Sequence, residues 1–324
     1  MLRKLLSLSV VVLFIFACGK SNEPCSQKVW YLDRDGDGLG DKTQTIKDCE
    51  RPVGYVDNAN DDNDQPVVAP VKEYPEKGYT TPKTYAGREL VWADEFEGTG
   101  LDEKIWNYEL GDGCPGNCGW GNNELQYYRK ENTSVKEGYL FIKANYESVG
   151  GKLYTSSRLT TQNKFNFKYG RVDIRAALPK GKGIWPALWM LGKNINTVGW
   201  PKCGEIDIME MVGGSGSDNQ VHGTAHWDNG GSHAQYGGNT KLASGIFNDE
   251  FHVFSITWDE KYIRWYLDDK EYQVIDISPA GLSELREEFF LIFNVAVGGN
   301  WPGNPDGSTT FPQKMVVDYV RVFK

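Results

Sequence analysis

The stretch Gly204-Glu205-Ile206-Asp207-Ile208-Met209-Glu210-Met211 places three carboxylates within six residues of a segment that is patterned as a strand. Because strand side chains alternate between faces, its first two acids point one way while its two isoleucines point the other. In a regular strand Glu210 would face the core, where an unpaired charge is strongly unfavourable. One extra residue at Ile208-Met209, a β-bulge, returns all three acids to one face, and bulges are frequent beside active sites. The stretch therefore predicts a bulged strand.

Acids placed in this way suit glycoside hydrolysis. With the bulge, Glu205 and Glu210 are roughly 13 Å apart at Cα, and side chains that lean together can approach the ~5–5.5 Å carboxyl separation of a retaining glycosidase. One carboxyl would attack the anomeric carbon and the other would protonate the leaving oxygen. Adjacent carboxyl groups do not all ionise, so at least one is expected to hold a proton near neutral pH. The alternative is a solvent-facing acidic strand over a core of Ile206 and Ile208.

Length and composition limit the possible classes of protein. The chain has 324 residues, enough for one large domain and a small one. Aromatic residues make up 13%, including 11 Trp, and there are 37 Gly. This composition favours strands, tight turns and a surface on which sugar rings stack. The net charge is −9, or −11 without residues 1–17, so nucleic acid is a poor partner.

Residues 1–17 have the features of an export signal. Arg3 and Lys4 precede an apolar run over 5–16 that is too short to span a bilayer comfortably. The junction at Ala17-Cys18 resembles a bacterial lipobox, which implies a lipid-modified Cys18 at the mature N-terminus. We therefore expect an exported, membrane-anchored lipoprotein that touches the membrane only through this lipid. The alternative is ordinary secretory cleavage near Ala17.

Six cysteines fit an exported protein. If Cys18 carries lipid, five remain. Cys25 and Cys49 bracket an acidic segment, and we expect them to pair. Cys114 and Cys118 can close a tight loop, which would leave Cys203 free two residues before Glu205. A zinc site made from these last three cysteines is disfavoured because no histidine lies at matching spacing.

Residues 18–64 form a distinct small module. The segment over 33–41 resembles the first half of a calcium loop, but Gln44 stands where an EF-hand has a bidentate Glu, and no amphipathic helices flank it. Together with Cys49 and the acidic run over 60–64, it resembles the calcium-binding repeats of thrombospondin type 3. The resemblance implies calcium ligands at Asp33, Asp35, Asp37 and Asp41. The alternative is a solvated acidic spacer.

Residues 65–83 are rich in proline and lack apolar periodicity, which predicts an extended linker. Over 84–324, β-patterned runs recur between Gly and Asn turns, so we predict an all-β sandwich or barrel. Ser278–Glu288 is the one predicted short helix. Trp258 and Trp265 alternate with apolar residues and are expected in the core. The predicted strands are 139–144, 170–176, 252–258, 263–267, 289–297 and 315–323.

Four separated segments, in order along the chain, resemble glycoside hydrolase family 16, within it the bacterial laminarinases. They are Gly119–Tyr128, Ile184–Met190, Trp200–Glu210 and Gly298–Gly303. The resemblance covers about residues 91–324. It implies a β-jelly-roll of two curved antiparallel sheets with a concave substrate cleft, and endo-hydrolysis of β-glucans with retention.

The resemblance also implies roles for individual residues. Glu205 would be the nucleophile, Asp207 would tune it through a hydrogen bond, and Glu210 would be the acid/base; no metal would be needed for this chemistry. Structural calcium is expected at Glu97, the Gly138 carbonyl and Asp318. Sugar-stacking, hydrogen-bonding and cleft-wall positions correspond to Asn122, Glu124, Arg158, Trp185, Trp189, Trp200, His226 and Trp301.

The leading expectation is a monomeric, exported endo-β-1,3-glucanase that acts on β-1,3-glucan such as laminarin. One rival is a glucan-binding protein on the same fold that does not cleave, although such relatives lose the catalytic acids that are present in this chain. Another is a calcium-dependent surface adhesion protein in which the acidic module is the functional part. Same-fold hydrolysis of agarose or mixed-linkage glucan is a further alternative, because the acid motif alone does not decide the substrate.

Overall fold

The computed structural model describes residues 25–62 and 72–324, which form two compact units on either side of residue 71. The predicted signal segment and Cys18 lie outside the described residues. Within the described ranges, no helix is long and apolar enough to cross a membrane. The described residues contain twenty strands, which are β1 (Lys28–Leu32), β2 (Asp41–Asp48), β3 (Tyr55–Val56), β4 (Leu90–Asp94), β5 (Asn107–Glu109), β6 (Gln126–Tyr128), β7 (Thr133–Lys136), β8 (Tyr139–Val149), β9 (Lys152–Ser156), β10 (Arg158–Thr160), β11 (Gly170–Ala177), β12 (Ile184–Gly192), β13 (Glu205–Glu210), β14 (Gln220–Asp228), β15 (His233–Lys241), β16 (His252–Trp258), β17 (Tyr262–Leu267), β18 (Lys270–Asp276), β19 (Phe289–Val297) and β20 (Gln313–Phe323).

The first unit is a three-stranded sheet in the order β2-β1-β3. The predicted disulfide between Cys25 and Cys49 is present. Trp30 is buried and donates its indole N–H to the carbonyl of Asp48 at 3.1 Å. A disulfide and one buried aromatic are typical devices by which so small a sheet is stabilised.

The second unit confirms the predicted all-β jelly-roll. One sheet has the order β15-β14-β13-β12-β19-β10-β5, and the other follows β18-β17-β16-β11-β20-β8-β9-β6, with β4 on β20 and β7 on β8. Pairing is antiparallel except for β6 with β9, which run parallel. Buried aliphatic and aromatic residues from both sheets form one core, so each sheet presents its other face outward.

Turn chemistry and periodicity explain where the strands begin and end. β19 is buried along all nine residues because it lies at the middle of its sheet between β12 and β10. Glu137 and Gly138 both have positive φ, which gives the two-residue turn between β7 and β8. Trp258 and Trp265 are buried in the core, as predicted.

Two predicted boundaries differ from the structure. The short helix predicted over 278–288 is a 3-10 helix over Ala280–Arg286, interrupted at Leu282. The predicted linker over 65–83 ends earlier, because residues 72–83 pack on the second unit. The Tyr74 ring packs against Tyr139 in a tilted arrangement with centroids 4.5 Å apart, and Tyr79 donates its backbone N–H to the Phe251 carbonyl at 2.8 Å.

The other three helical segments of the described residues are short. The 3-10 helices lie over Cys118–Gly121 and Lys130–Asn132, and α1 spans Ile195–Val198. The first of these follows the disulfide between Cys114 and Cys118, and Cys203 is free and buried. The disulfide between Cys114 and Cys118 therefore closes the tight loop that the sequence suggested.

Candidate active site

The predicted bulge is present in β13 and sets the geometry of the site. On one side, Leu188 of β12 pairs with Met209 and Trp189 pairs with Asp207, so Ile208 has no partner of its own. On the other side, Asp207 pairs with Thr224 and Glu210 with His222, so a single β14 residue faces two residues of β13. The extra residue brings Glu205, Asp207 and Glu210 to the outward face, while the apolar residues between them are buried.

The outward face of the seven-stranded sheet forms a cleft of about 1100 Å³. Strands from β5 at one edge to β15 at the other contribute side chains to it. All eleven residues that were predicted to be catalytic or substrate-binding line this cleft: Asn122, Glu124, Arg158, Trp185, Trp189, Trp200, Glu205, Asp207, Glu210, His226 and Trp301.

Glu205 lies beside an indole and an imidazole. Trp200 donates its Nε1–H to Oε2 at 3.0 Å, and Nε2 of His226 lies 3.6 Å from Oε1. Trp200 is also 48% exposed, so its ring remains available to a ligand in the cleft. The hydrogen bond from the Trp200 indole favours the ionised form of this carboxyl group.

Asp207 is the most buried of the three acids. Its Oδ2 lies 3.0 Å from Nε2 of His226, and its backbone carbonyl accepts the indole N–H of buried Trp265 at 2.8 Å. When Nε2 of His226 donates to Asp207, Nδ1 accepts from Nε2–H of His233, 2.8 Å away. A chain of hydrogen bonds therefore fixes the orientation of His226 between the first two acids.

Glu210 occupies the other end of the cluster. Trp185 donates its Nε1–H to Oε1 at 3.0 Å. The Trp185 ring meets Trp301 edge to face with centroids 5.6 Å apart, and His222 packs against Trp301 at 5.0 Å. Each outer acid is thus held by a tryptophan that also forms part of the cleft wall.

Burial raises the pKa of Glu205, Asp207 and Glu210 to about 8 each, and the neighbouring Asp207 charge adds to the shift of both glutamates. Acids coupled in this way lose their protons in steps that belong to the cluster. At neutral pH at least one carboxyl group of the cluster therefore holds a proton. Nε2 of His226 lies 3.0 Å from Asp207 and 3.6 Å from Glu205, so the imidazole contacts one end of the cluster.

A buried polar network supports the opposite wall. Trp189 donates Nε1–H to Oδ1 of Asn294 at 2.7 Å, Asn294 donates Nδ2–H to the Tyr128 hydroxyl at 3.1 Å, and that hydroxyl donates to Oε2 of Glu124 at 3.2 Å. Glu124 is 4% exposed, and burial raises its pKa. The Arg158 guanidinium lies 4.8 Å from the Trp189 ring centroid. The network fixes the plane of Trp189.

Sequence reasoning missed several cleft residues, His222 among them. His222 lies on the same face of β14 as His226, which was predicted, and their spacing of four residues was a usable signal. His233 comes beside His226 only through the hairpin register of β14 and β15. The pairing of Arg158 with Glu109 likewise depends on β5 lying next to β10. No local pattern encodes those two contacts.

Three of the four calcium ligands predicted in the first unit lie together. Carboxylate oxygens of Asp33, Asp35 and Asp37 lie within 4.8 Å of one another, a donor set that suits calcium. Asp41 is not part of this group, and its carboxylate accepts hydrogen bonds from Thr43 and Gln44.

At the second predicted site, Asp318 accepts a hydrogen bond from Arg175 at 2.7 Å, Glu97 is exposed, and Gly138 lies in the turn between β7 and β8. Calcium at either place stays a prediction.

Comparisons with known proteins agree with the fold and identify the family. Residues 117–321 match the family described as glycosyl hydrolases family 16. The chain is 42% identical over 252 residues to a beta-glucanase of Rhodothermus marinus, covering 73% of this chain and 85% of that protein. It is 40% identical over 239 residues to the clotting factor G alpha subunit of Tachypleus tridentatus, covering 73% of this chain but only 34% of that subunit.

A solved structure is also similar. The crystal structure of the laminarinase catalytic domain from Thermotoga maritima MSB8 superimposes with a TM-score of 0.68 at 50% sequence identity. The match covers 73% of this chain and 98% of that domain. The similarity therefore extends over the second unit and its cleft.

Proposed function

The chain belongs to glycosyl hydrolase family 16, and from this membership we propose that it cleaves internal β-1,3 linkages of a glucan with retention of the anomeric configuration. The single observation that carries the proposal is the bulged β13, which presents Glu205, Asp207 and Glu210 together on the floor of the cleft. A floor with two outer carboxyl groups and a third between them suits double displacement.

In the first step, a carboxylate oxygen of Glu205 attacks the anomeric carbon while Glu210 gives its proton to the glycosidic oxygen that leaves. The result is a sugar ester of Glu205 and a released chain end. Glu210, now ionised, takes a proton from water, and the water oxygen attacks the anomeric carbon and frees Glu205. Asp207, oriented by His226, is proposed to tune Glu205 through a hydrogen bond between the two side chains.

The substrate proposal rests on the walls of the cleft and on the similar proteins. Trp185, Trp189 and Trp200 present rings from three places around β13, which suits a curved glucan whose sugar faces change direction. Similar proteins include a beta-glucanase and a laminarinase domain. The acidic net charge of the chain disfavours sulfated polysaccharides.

Product analysis tests this proposal. Purified full chain is incubated with laminarin, mixed-linkage β-glucan, agarose and carrageenan, with a Glu205→Gln variant as the inactive control. We expect oligosaccharides from laminarin, fewer from mixed-linkage glucan and none from carrageenan, and NMR should show the β-anomer first. Release of more oligosaccharide from agarose or carrageenan than from laminarin would overturn the proposed substrate. Appearance of the α-anomer first would overturn the proposed retaining mechanism.

We also propose how the enzyme is deployed. The lipobox-like junction at Cys18 supports export and a lipid anchor, and secretion without lipid is the alternative. The grouped carboxylates of Asp33, Asp35 and Asp37 support a calcium-stabilised N-terminal module. The enzyme is proposed to act as a monomer on a polysaccharide outside the cytoplasm.

A further inference from the structure

A second open cavity of about 740 Å³ lies on the second unit, away from the catalytic acids. Its walls come from the hairpin of β8 and β9 and from the loop that precedes β20. None of its lining residues lines the catalytic cleft.

Three aromatic rings form one side of this groove. Tyr154 and Phe311 are half-buried and pack against the core, with centroids 5.3 Å apart, which fixes their positions. Tyr146 lies over them at 5.4 and 6.3 Å and is 65% exposed. An exposed ring supported by two anchored rings is a ready stacking surface, because its face is presented at little cost in conformational entropy.

The two acidic groups of the groove already have basic partners that match their charge. Glu147 lies 3.6 Å from Arg129, and Asp306 lies 3.3 Å from Lys182. Asn145 adds an amide beside Glu147. Rings with balanced polar groups suit a neutral polyhydroxyl ligand, because an ionic ligand would find no unmatched charge.

The groove is also connected to the cleft through the chain. The loop that supplies Asp306 and Phe311 begins just after Trp301, a wall residue of the cleft. That loop is tied to the sheet connection before β12, where Thr309 donates its hydroxyl to the Lys182 carbonyl at 2.7 Å.

We infer that this groove is a second carbohydrate-binding site that holds a neutral β-glucan segment outside the catalytic cleft. The identity of the ligand rests on the proposed function. Such a site adds a second attachment point on a long or insoluble chain, so its effect grows with chain length. A soluble pentasaccharide that only fills the cleft gains nothing from it.

The test uses Tyr146→Ala and Phe311→Ala in the full chain, with Leu153→Ala as the matched control. Leu153 is 55% exposed on β9 but alternates with Tyr154 and so faces the other side of the hairpin. Binding to insoluble β-1,3-glucan is measured in a Glu205→Gln background, and hydrolysis of that glucan and of laminaripentaose is measured with Glu205 intact.

Loss of one stacking ring should weaken binding to the insoluble glucan by roughly 2- to 10-fold. We expect a comparable loss of rate on that glucan, an unchanged kcat/KM on laminaripentaose, and no effect of Leu153→Ala. Equal binding by all the variants would overturn the second site. A uniform loss on both substrates by a variant that unfolds at the same temperature as the unaltered chain would also overturn it, because the rings would then act on the cleft and not on a separate site.

The proposed function is judged separately. Hydrolysis of laminarin by the unaltered chain depends on the cleft alone, so its absence would refute the β-1,3-glucanase proposal. If laminarin is cleaved and Tyr146→Ala binds insoluble glucan as well as the unaltered chain does, the function stands and the groove does not bind glucan. Sedimentation velocity of the unaltered chain and of Tyr146→Ala shows whether the groove is instead an interface between two copies of the chain.

Discussion

Two indole N–H groups hold the outer carboxyl groups of the cleft, one on Glu205 and one on Glu210. These bonds fix where each acid lies in the cleft, and His226 lies beside the Glu205 end. In the proposed mechanism the carboxyl group that is ionised, Glu205, supplies the nucleophile, and the one that holds a proton, Glu210, supplies the acid.

Azide rescue should separate these roles. With an aryl β-glycoside whose leaving group needs no protonation, Glu210→Ala should still form the sugar ester on Glu205, and azide should then give a β-glycosyl azide. In Glu205→Ala, azide should enter the vacated space and give the α-azide. NMR of the products measures the configuration, and identical configurations would mean that the roles are misassigned. Reactions without azide serve as the control.

Raised pKa values also predict how stability changes with pH. The Glu205 pKa rises from 4.5 to about 8 on folding, so above pH 4.5 the unfolded chain ionises this group more readily than the native protein does. Stability is therefore lost between about pH 4.5 and 8. Glu205→Gln removes this loss, and it should be more stable than the unaltered chain by about 1–2 kcal/mol at pH 8 but not at pH 4.

Urea denaturation at pH 4, 6 and 8 measures this difference. Exposed Glu250→Gln is the control for loss of a charge elsewhere. If Glu205→Gln is more stable than the unaltered chain by the same amount at all three pH values, the Glu205 carboxyl is not the source of the loss of stability with pH.

Among the elements, β13 depends on a small neighbour in β14. Gly223 is the one β14 residue opposite the bulge, and a Cβ there would lie 2.4 Å from Cδ1 of Trp265. Trp265 in turn binds the Asp207 carbonyl at the bulge. The missing side chain thus leaves the space in which a buried indole supports the catalytic strand.

Gly223→Ala should therefore displace Trp265 and release the Asp207 carbonyl. We expect a loss of about 1–3 kcal/mol in the free energy of unfolding, from overpacking, together with a lower kcat on laminarin. Gly281→Ala is the matched control, since a Cβ at Gly281 meets nothing within 4 Å. Denaturation curves and initial rates measure both effects, and a Gly223→Ala enzyme that resembles the control would contradict this account.

The sequence predicted the bulge because alternation leaves only one way to put three acids on one face. It also predicted β16 and β19 over the residues at which they occur, since apolar runs mark buried strands. It did not predict the contact of His233 with His226, which requires a pairing register. It placed residues 72–83 in a linker because this segment packs through a few isolated contacts, such as those of Tyr74 and Tyr79. Isolated contacts leave no periodic apolar pattern in the sequence.

For the whole molecule, the cleft lies in the large unit, and we propose that the chain before it determines where hydrolysis takes place. The module of β1–β3 has its own disulfide and its own hydrogen-bonded sheet. Nothing in its residues resembles the cleft. We therefore expect this module to affect where the protein is located and attached. The rate of hydrolysis at the cleft should not depend on the module.

Replacing the proposed lipid-bearing residue tests this division. Cys18→Ser should move the protein from the membrane fraction to the soluble fraction of the producing bacterium, because lipid supplies the anchor. The rate on laminaripentaose should be unchanged. Immunoblots of the fractions measure the shift, and Cys203→Ser, at a buried thiol, is the control for loss of a cysteine. Unchanged fractionation of Cys18→Ser would refute the anchor.

Side chains of a β-strand alternate between two faces, so one inserted residue moves every later side chain to the opposite face, as an inserted nucleotide shifts a reading frame. In β13 five residue steps from Glu205 to Glu210 match four on β12, from Leu191 to Ala187, so the frameshift lies between the second and third acids. Deleting Met209 would restore the frame and still leave Glu210 facing the cleft. This strand can therefore lose a residue without losing its catalytic face, which few strands with one buried face can do.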